Sequence, residues 1–334
     1  MDTRVLVTGA TGFLGGSLAR TLHKLGYAVT ATGRNESIGG KLREEGIAFI
    51  PCDLADGERM VPLCAGQDFV FHCGALSSTW GPYRNFYNSN VIGTRNILEG
   101  CRRYEVGRLI YVSTPSLYSD YTDRLNVSES APLPSKAVNA YADTKLLAER
   151  EVDLAFASGI PVITIRPRAI FGPGDQAILP RLLQANRQGR VPLINGGQAL
   201  IDITYVDNVV DVLRKCMTSP ELTLGKKYNI TNGEPLPFLE LMQRLFTRLE
   251  VPLRGKQLSY RTAYAVASLL EWKARLTQSQ KEPVLTRSTI GMLGKSLTLD
   301  ITAAREELNY VPLISMEEGL SAYVAWIKEQ ESLI

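Results

Sequence analysis

Through the first half of the chain, short apolar runs alternate with segments whose apolar residues recur every three or four positions. RVLVT (4–8), AVTATG (28–33), IAFIP (47–51), DFVFH (68–72), RLIYVS (108–113) and PVITIR (161–166) are rich in β-branched and aromatic residues. Runs that are apolar on consecutive positions suit strands covered on both faces, and so predict a parallel sheet. Between them, the spacing of Leu14, Leu18, Leu22 and Leu25 predicts a crossover helix with one apolar stripe. Regular strand and helix alternation implies a doubly wound α/β fold, with helices on both faces of the sheet.

After FGPGD (171–175) the rhythm breaks, with fewer strands, more helix and Pro/Gly punctuation at 194–197, 231–237 and 250–255. The expected division is 1–174 for the sheet domain and 175–334 for a smaller, mostly helical domain, with 201–218 packing back on the first. TAYAVASLLEWKARL (262–276) has an apolar face. It suits covering a greasy cleft or resting at a membrane surface, and a core helix is the other reading. Met316, Leu320, Tyr323 and Ile327 form a stripe expected to be core.

Composition narrows the setting. The 334 residues are 45% apolar and 21% charged, as in a soluble globular protein. Lysine and arginine (37) nearly balance aspartate and glutamate (34), with no basic run, so no nucleic-acid partner is expected. Five cysteines are scattered without metal spacing, and there are two histidines; neither a disulfide framework nor a metal site is expected, and a reducing cytoplasm fits. No leader and no long apolar span stands out, so neither export nor membrane spanning is expected.

VLVTGATGFLGG sets Gly9, Gly12 and Gly15 directly after the first predicted strand and at the start of the first helix, with Phe13 and Leu14 in the same turn. Gly9 permits the tight turn, Gly12 the approach of backbone N–H groups to a pyrophosphate, and Gly15 close packing of helix on sheet. A helix N-terminus there would face the anion with its positive end. A dinucleotide cofactor follows. At the end of the second strand, ATGR (31–34) offers no carboxylate for ribose hydroxyls, whereas Arg34 suits a 2′-phosphate. That favours NADP over NAD, with an ordinary surface arginine as the alternative.

Downstream, NAYADTK (139–145) carries Tyr141 and Lys145 four residues apart. The G-x-x-G-x-x-G turn together with Y-x-x-x-K resembles the short-chain dehydrogenase/reductase superfamily, with its Rossmann fold; chain length and TGATGFLGG resemble the extended branch. STWGPYRNFYNSNVIGTRNILEGCRR (78–103), YVSTPS (111–116) and EPVLTRSTIGML (282–293) resemble the 3β-hydroxysteroid dehydrogenase-like members, among them β-keto-acid reductases of bacterial olefin synthesis.

Positions i and i+4 share a helix face, so the Lys145 ammonium can lie near the Tyr141 phenol and favour its phenolate, an acid and base for a C–OH or C=O beside a nicotinamide. Ser113, Thr114 and Ser116 offer a hydroxyl to hold the substrate oxygen. The resemblance implies Thr114 for this third catalytic role, with Ser113 as runner-up. It also implies Asp53 and Leu54 at the adenine, Gly74 and Ala75 (in HCGA) alongside the cofactor, Asn90 supporting the fourth and fifth strand region, Pro167 and Ala169 at the carboxamide, and a homodimer.

Pro115 and Ser116 stand where sugar dehydratases of the family carry an acidic pair, which disfavours dehydration. The expected activity is an NADP(H)-linked exchange between secondary alcohol and ketone on a hydrophobic β-hydroxy or β-keto compound. An NAD-holding sugar-nucleotide epimerase is the alternative enzyme. A dinucleotide-sensing regulator is the non-enzymatic alternative, disfavoured by the intact Tyr and Lys pair.

Overall fold

A computed structural model describes residues 3–277, 279 and 281–332. The predicted strands form as β1 (Arg4–Thr8), β2 (Ala28–Gly33), β3 (Ala48–Pro51), β4 (Phe69–His72), β5 (Arg108–Val112) and β6 (Val162–Pro167). A seventh, β7 (Lys227–Ile230), completes one sheet in the order β7-β6-β5-β4-β1-β2-β3. Every neighbouring pair in it is parallel.

The alternation of side chains across a strand explains the consecutive apolar runs. On β1, Val5 and Val7 enter a cluster with Leu18 and Leu22 of helix α1 (Phe13–Lys24), while Leu6 enters the opposite cluster with Ile97 and Val152. Those two lie on α3 (Gly93–Arg103) and α4 (Ala140–Ala157), α2 being Glu36–Glu44. All three β1 residues are fully buried. Each such aliphatic side chain contributes about 1.5–3 kcal/mol by leaving water. Leu25, expected on the α1 stripe, falls just past the helix end and is 56% exposed.

Beyond residue 174 the chain returns to this sheet. Helix α5 (Val206–Thr218) puts Val209 and Leu213 into the cluster with α1, and β7 pairs with β6. Thr204–Tyr205, just before α5, joins Ile170–Phe171 in a separate two-stranded pair. A second core, including Phe171, Phe238, Leu241, Leu320 and Tyr323, gathers helices Leu179–Arg187, Phe238–Arg248, Tyr260–Leu276, Arg287–Gly294 and Met316–Ser332. Met316 is buried there too, with Ile327 packed at its edge. In Tyr260–Leu276 the small Ala263 and Ala267 face inward, while Val266, Leu269, Trp272 and Leu276 are exposed. No helix among the described residues is long and apolar enough to cross a membrane.

Candidate active site

In this strand order the chain reverses direction of growth between β1 and β4, and a cleft opens at their carboxyl ends. Its floor is nearly all backbone. Gly9 has φ +68°, and a Cβ there would stand 2.6 Å from the Gly74 Cα. A Cβ on Gly15 would meet the Gly9 carbonyl oxygen at 2.4 Å. Gly12 caps α1 with extended backbone and no side-chain hydrogen bond, and no acidic residue lies in the first turn. The first amides of α1 are therefore left for an anion, and the cradle fits a pyrophosphate.

Two buried threonines and a histidine fasten the ends of β1 and β4. Thr94 donates to the Asn90 carbonyl (2.6 Å), so its oxygen accepts from His72 Nε2 at 3.1 Å. His72 Nδ1 then accepts from Thr8 Oγ1 (2.8 Å), which itself accepts from Gly74 N at 3.1 Å. Burial, reinforced by Lys145, lowers the His72 pKa to about 3, so the ring is neutral and carries this one tautomer.

Tyr141 lies in the first turn of α4, which Asn139 caps by accepting from Ala142 N at 2.8 Å. The phenol is on the cleft wall beside Ser113, Thr114, Pro167 and Ala169. Lys145 is one turn deeper and does not line the cleft; it is 2% exposed. Its ammonium donates to the Val112 carbonyl (2.8 Å) and lies 4.2 Å from the Tyr111 ring centre. Burial lowers the Lys145 pKa to about 7, with Glu149 opposing.

The expectation that Lys145 acidifies the phenol is corrected. Burial raises the Tyr141 pKa, and the opposing interaction comes from Thr114. The reason is geometric: the ammonium is turned to Val112. Thr114 Oγ1 donates to Ser116 Oγ (3.0 Å) and accepts from Ser116 N (3.2 Å), whereas the buried Ser113 hydroxyl has no partner among the described residues.

Phe13, Leu14, Leu54 and Ala75 also line the cleft, with Asp53 and Arg34 at its far end. Although β2 ends without a carboxylate, Asp53 from the end of β3 supplies one, 3.8 Å from Arg34, with both side chains largely exposed. Asn90 is not on the cleft wall. From a wide helical turn at Tyr87–Ile92, its amide accepts from Leu76 N (2.7 Å) and donates to Leu76 O (3.2 Å) and Thr144 Oγ1 (3.0 Å). It thus positions the loop after β4 against α4, the helix of Tyr141.

Past Tyr141 the cleft widens into the second core, between Leu179, Leu182, Ile203, Phe238, Leu241 and Leu293; the whole cavity is about 800 Å³. Residues 79–80 meet Ser279 and Glu282 beside it: Trp80 Nε1 donates to Ser279 O at 3.2 Å, Thr79 bonds Glu282, and Arg181 pairs with Glu282 at 3.3 Å.

Residues 5–231 match the model of the NAD dependent epimerase/dehydratase family. The chain belongs to that family. Within it, the chain is 37% identical to a 2-alkyl-3-oxoalkanoate reductase of Stenotrophomonas maltophilia over 95% of this chain and 97% of the relative. It is 32% identical to the decarboxylating sterol-4-alpha-carboxylate 3-dehydrogenase of Mus musculus over 95% and 89% of the two chains. The crystal structure of UDP-glucuronic acid 4-epimerase from Bacillus cereus in complex with NAD shares the fold, with TM-score 0.78 and 21% identity over 98% of this chain and 97% of that one. This member of the family is accordingly an extended short-chain dehydrogenase/reductase, an oxidoreductase acting on CH–OH groups with a nicotinamide dinucleotide.

The sequence reading passed over His72, Thr8 and Thr94, because a threonine inside an apolar strand carries no local mark of what lies across the sheet. It also passed over Arg168, between Pro167 and Ala169 on the cleft wall.

Proposed function

We propose that this enzyme reduces hydrophobic 3-oxo (β-keto) compounds with NADPH. The observation that carries the reading is a partly buried phenol, held protonated, at the mouth of an apolar cavity. When bound, the cofactor supplies hydride to the carbonyl carbon. Tyr141 gives its proton to the carbonyl oxygen, for which a neutral phenol is the required state. The Thr114 hydroxyl orients that oxygen as charge develops on it. A proton from water then replaces the one the phenol gave up.

The two curated relatives support the substrate class, since both names describe a carboxylate on the carbon next to the oxygen-bearing one. Preference for NADPH rests on Arg34, which is free to fork onto a 2′-phosphate once it leaves Asp53. The deciding assay follows NADPH and NADH oxidation with 2-alkyl-3-oxo acids, 3-ketosteroids and UDP-sugars. Turnover of the oxo acids with NADPH is expected; interconversion of UDP-sugars without added coenzyme, and no ketone reduction, would overturn the reading. Arg34→Ala should raise the Michaelis constant for NADPH by about 3- to 10-fold and leave that for NADH nearly unchanged.

A further inference from the structure

We infer that Arg168 anchors a carboxylate of the substrate, so that the enzyme selects free 3-oxo acids over their esters and over simple ketones. The inference rests on the 3-oxo reading above and narrows it.

Two buried arginines, two residues apart, differ in one respect. Arg166 is fully engaged: Nε and Nη2 reach both oxygens of Glu149 at 2.9 and 2.5 Å, and Nη1 bonds the Tyr118 hydroxyl. Arg168 is 8% exposed and lines the cleft, yet its Nε is buried without a partner among the described residues. Among the described residues no carboxylate lies within ion-pair distance of it. Asp202 is the carboxylate whose charge acts on it, but Asp202 is itself buried, with one oxygen accepting from Leu299 N at 3.1 Å and the other unpartnered. Burial raises the pKa of Asp202, and its hydrogen bond goes to the Leu299 amide rather than to an Arg168 N–H. Arg168 itself falls only to about 10 and remains a cation at neutral pH.

A buried guanidinium with no carboxylate in ion-pair contact is costly, and a planar carboxylate that accepts two parallel N–H bonds is the ligand that relieves it. The backbone there is fixed. Arg168 N donates to Ile230 O (3.0 Å), and its carbonyl accepts from Thr204 Oγ1 (2.6 Å). The pairing of Val112 with Ile165 sets Thr114 level with Pro167, one residue before Arg168. The hydroxyls that would hold the reacting oxygen and the cation therefore leave neighbouring strand ends into one cleft. In a 3-oxo acid a single carbon separates the carbonyl from the carboxylate, so one molecule can engage both.

The test compares kcat/KM of the NADPH-loaded enzyme for a long-chain 3-oxo acid and for its methyl ester. In Arg168→Ala the acid-to-ester ratio should fall by about 30-fold or more, and Arg168→Lys should recover part of it. Calorimetry with a saturated fatty acid and its methyl ester gives a readout free of turnover: the acid should bind the wild type, and bind Arg168→Gln at least about tenfold more weakly. A ratio unchanged within about twofold in variants that still bind NADPH would overturn the anchor. Loss of NADPH affinity with the ratio intact would overturn it too, assigning Arg168 to the coenzyme. If Arg168→Ala does not accumulate folded, the Lys and Gln variants carry the same comparison. If the wild type reduces neither acid nor ester, the proposed reaction fails, while calorimetry still decides the anchor.

Discussion

The two ends of the cleft are built from different materials. At the coenzyme end, backbone does the shaping: Gly9, Gly12 and Gly15 leave amides and bare main chain, and the nearest fixed contacts are Gly9 against Gly74 and Gly15 against Gly9. At the substrate end, side chains do it, with Leu182, Phe238, Leu241 and Leu293 arriving from three separate helices. The first kind of surface recognises a shape shared by all dinucleotides. The second recognises volume and greasiness, which any one of many residues can alter by a methylene.

This contrast can be broken at its joint. Tyr141→Phe removes the proton donor where the two ends meet, and kcat should fall by about 10²–10⁴-fold while NADPH still quenches intrinsic fluorescence with little change in affinity. Retained turnover would remove the phenol from the chemistry.

Next in size, Gly15→Val drives a side chain into the Gly9 carbonyl, 2.4 Å from even the first added carbon. Dinucleotide binding and folding stability should weaken together, by about 2 kcal/mol or more in each. A variant that melts normally and binds coenzyme would show that the berth has slack it should not have.

At the other end, Leu182→Trp should shorten the acyl chain that is accepted. Each excluded methylene is worth about 1–3 kcal/mol, so a chain-length series of kcat/KM should show its break moved to shorter substrates. An unmoved profile would mean that the apolar cavity does not hold the chain.

The smallest effect concerns the clamp between the ends of β1 and β4. His72 titrates near 3 in the folded protein against an ordinary 6.5, so the unfolded chain binds more protons throughout that window. Stability contributed by the neutral ring is fully present above pH 6.5 and is lost as pH falls toward 3. His72→Gln should flatten the acid limb of stability, a slope on the order of 1 kcal/mol per pH unit, in denaturant titrations between pH 6.5 and 4. Parallel limbs would place the acid sensitivity elsewhere.

What the sequence made legible follows the same division. Six strands of the sheet could be read because each is apolar on consecutive positions, and the glycine turn because its spacing is a backbone requirement. The seventh strand, KYNI (Lys227–Ile230), is short and half polar, and only its pairing with β6 reveals it. Tyr141 and Lys145 could be found by helical spacing, but not their division of labour. Whether an ammonium faces a phenol or the Val112 carbonyl depends on a strand 33 residues earlier in the chain. Arg168 and His72 were silent for the same reason: an orphan guanidinium and a neutral imidazole are defined by what surrounds them after folding.

The close approach of Gly9 to Gly74 has a consequence for how such an enzyme can change. With no room for even a methyl there, mutation has no alphabet to write with on the floor of the berth. New substrates can be tried only from the walls inward, which lets the repertoire of ketones drift while the hydride source stays the same.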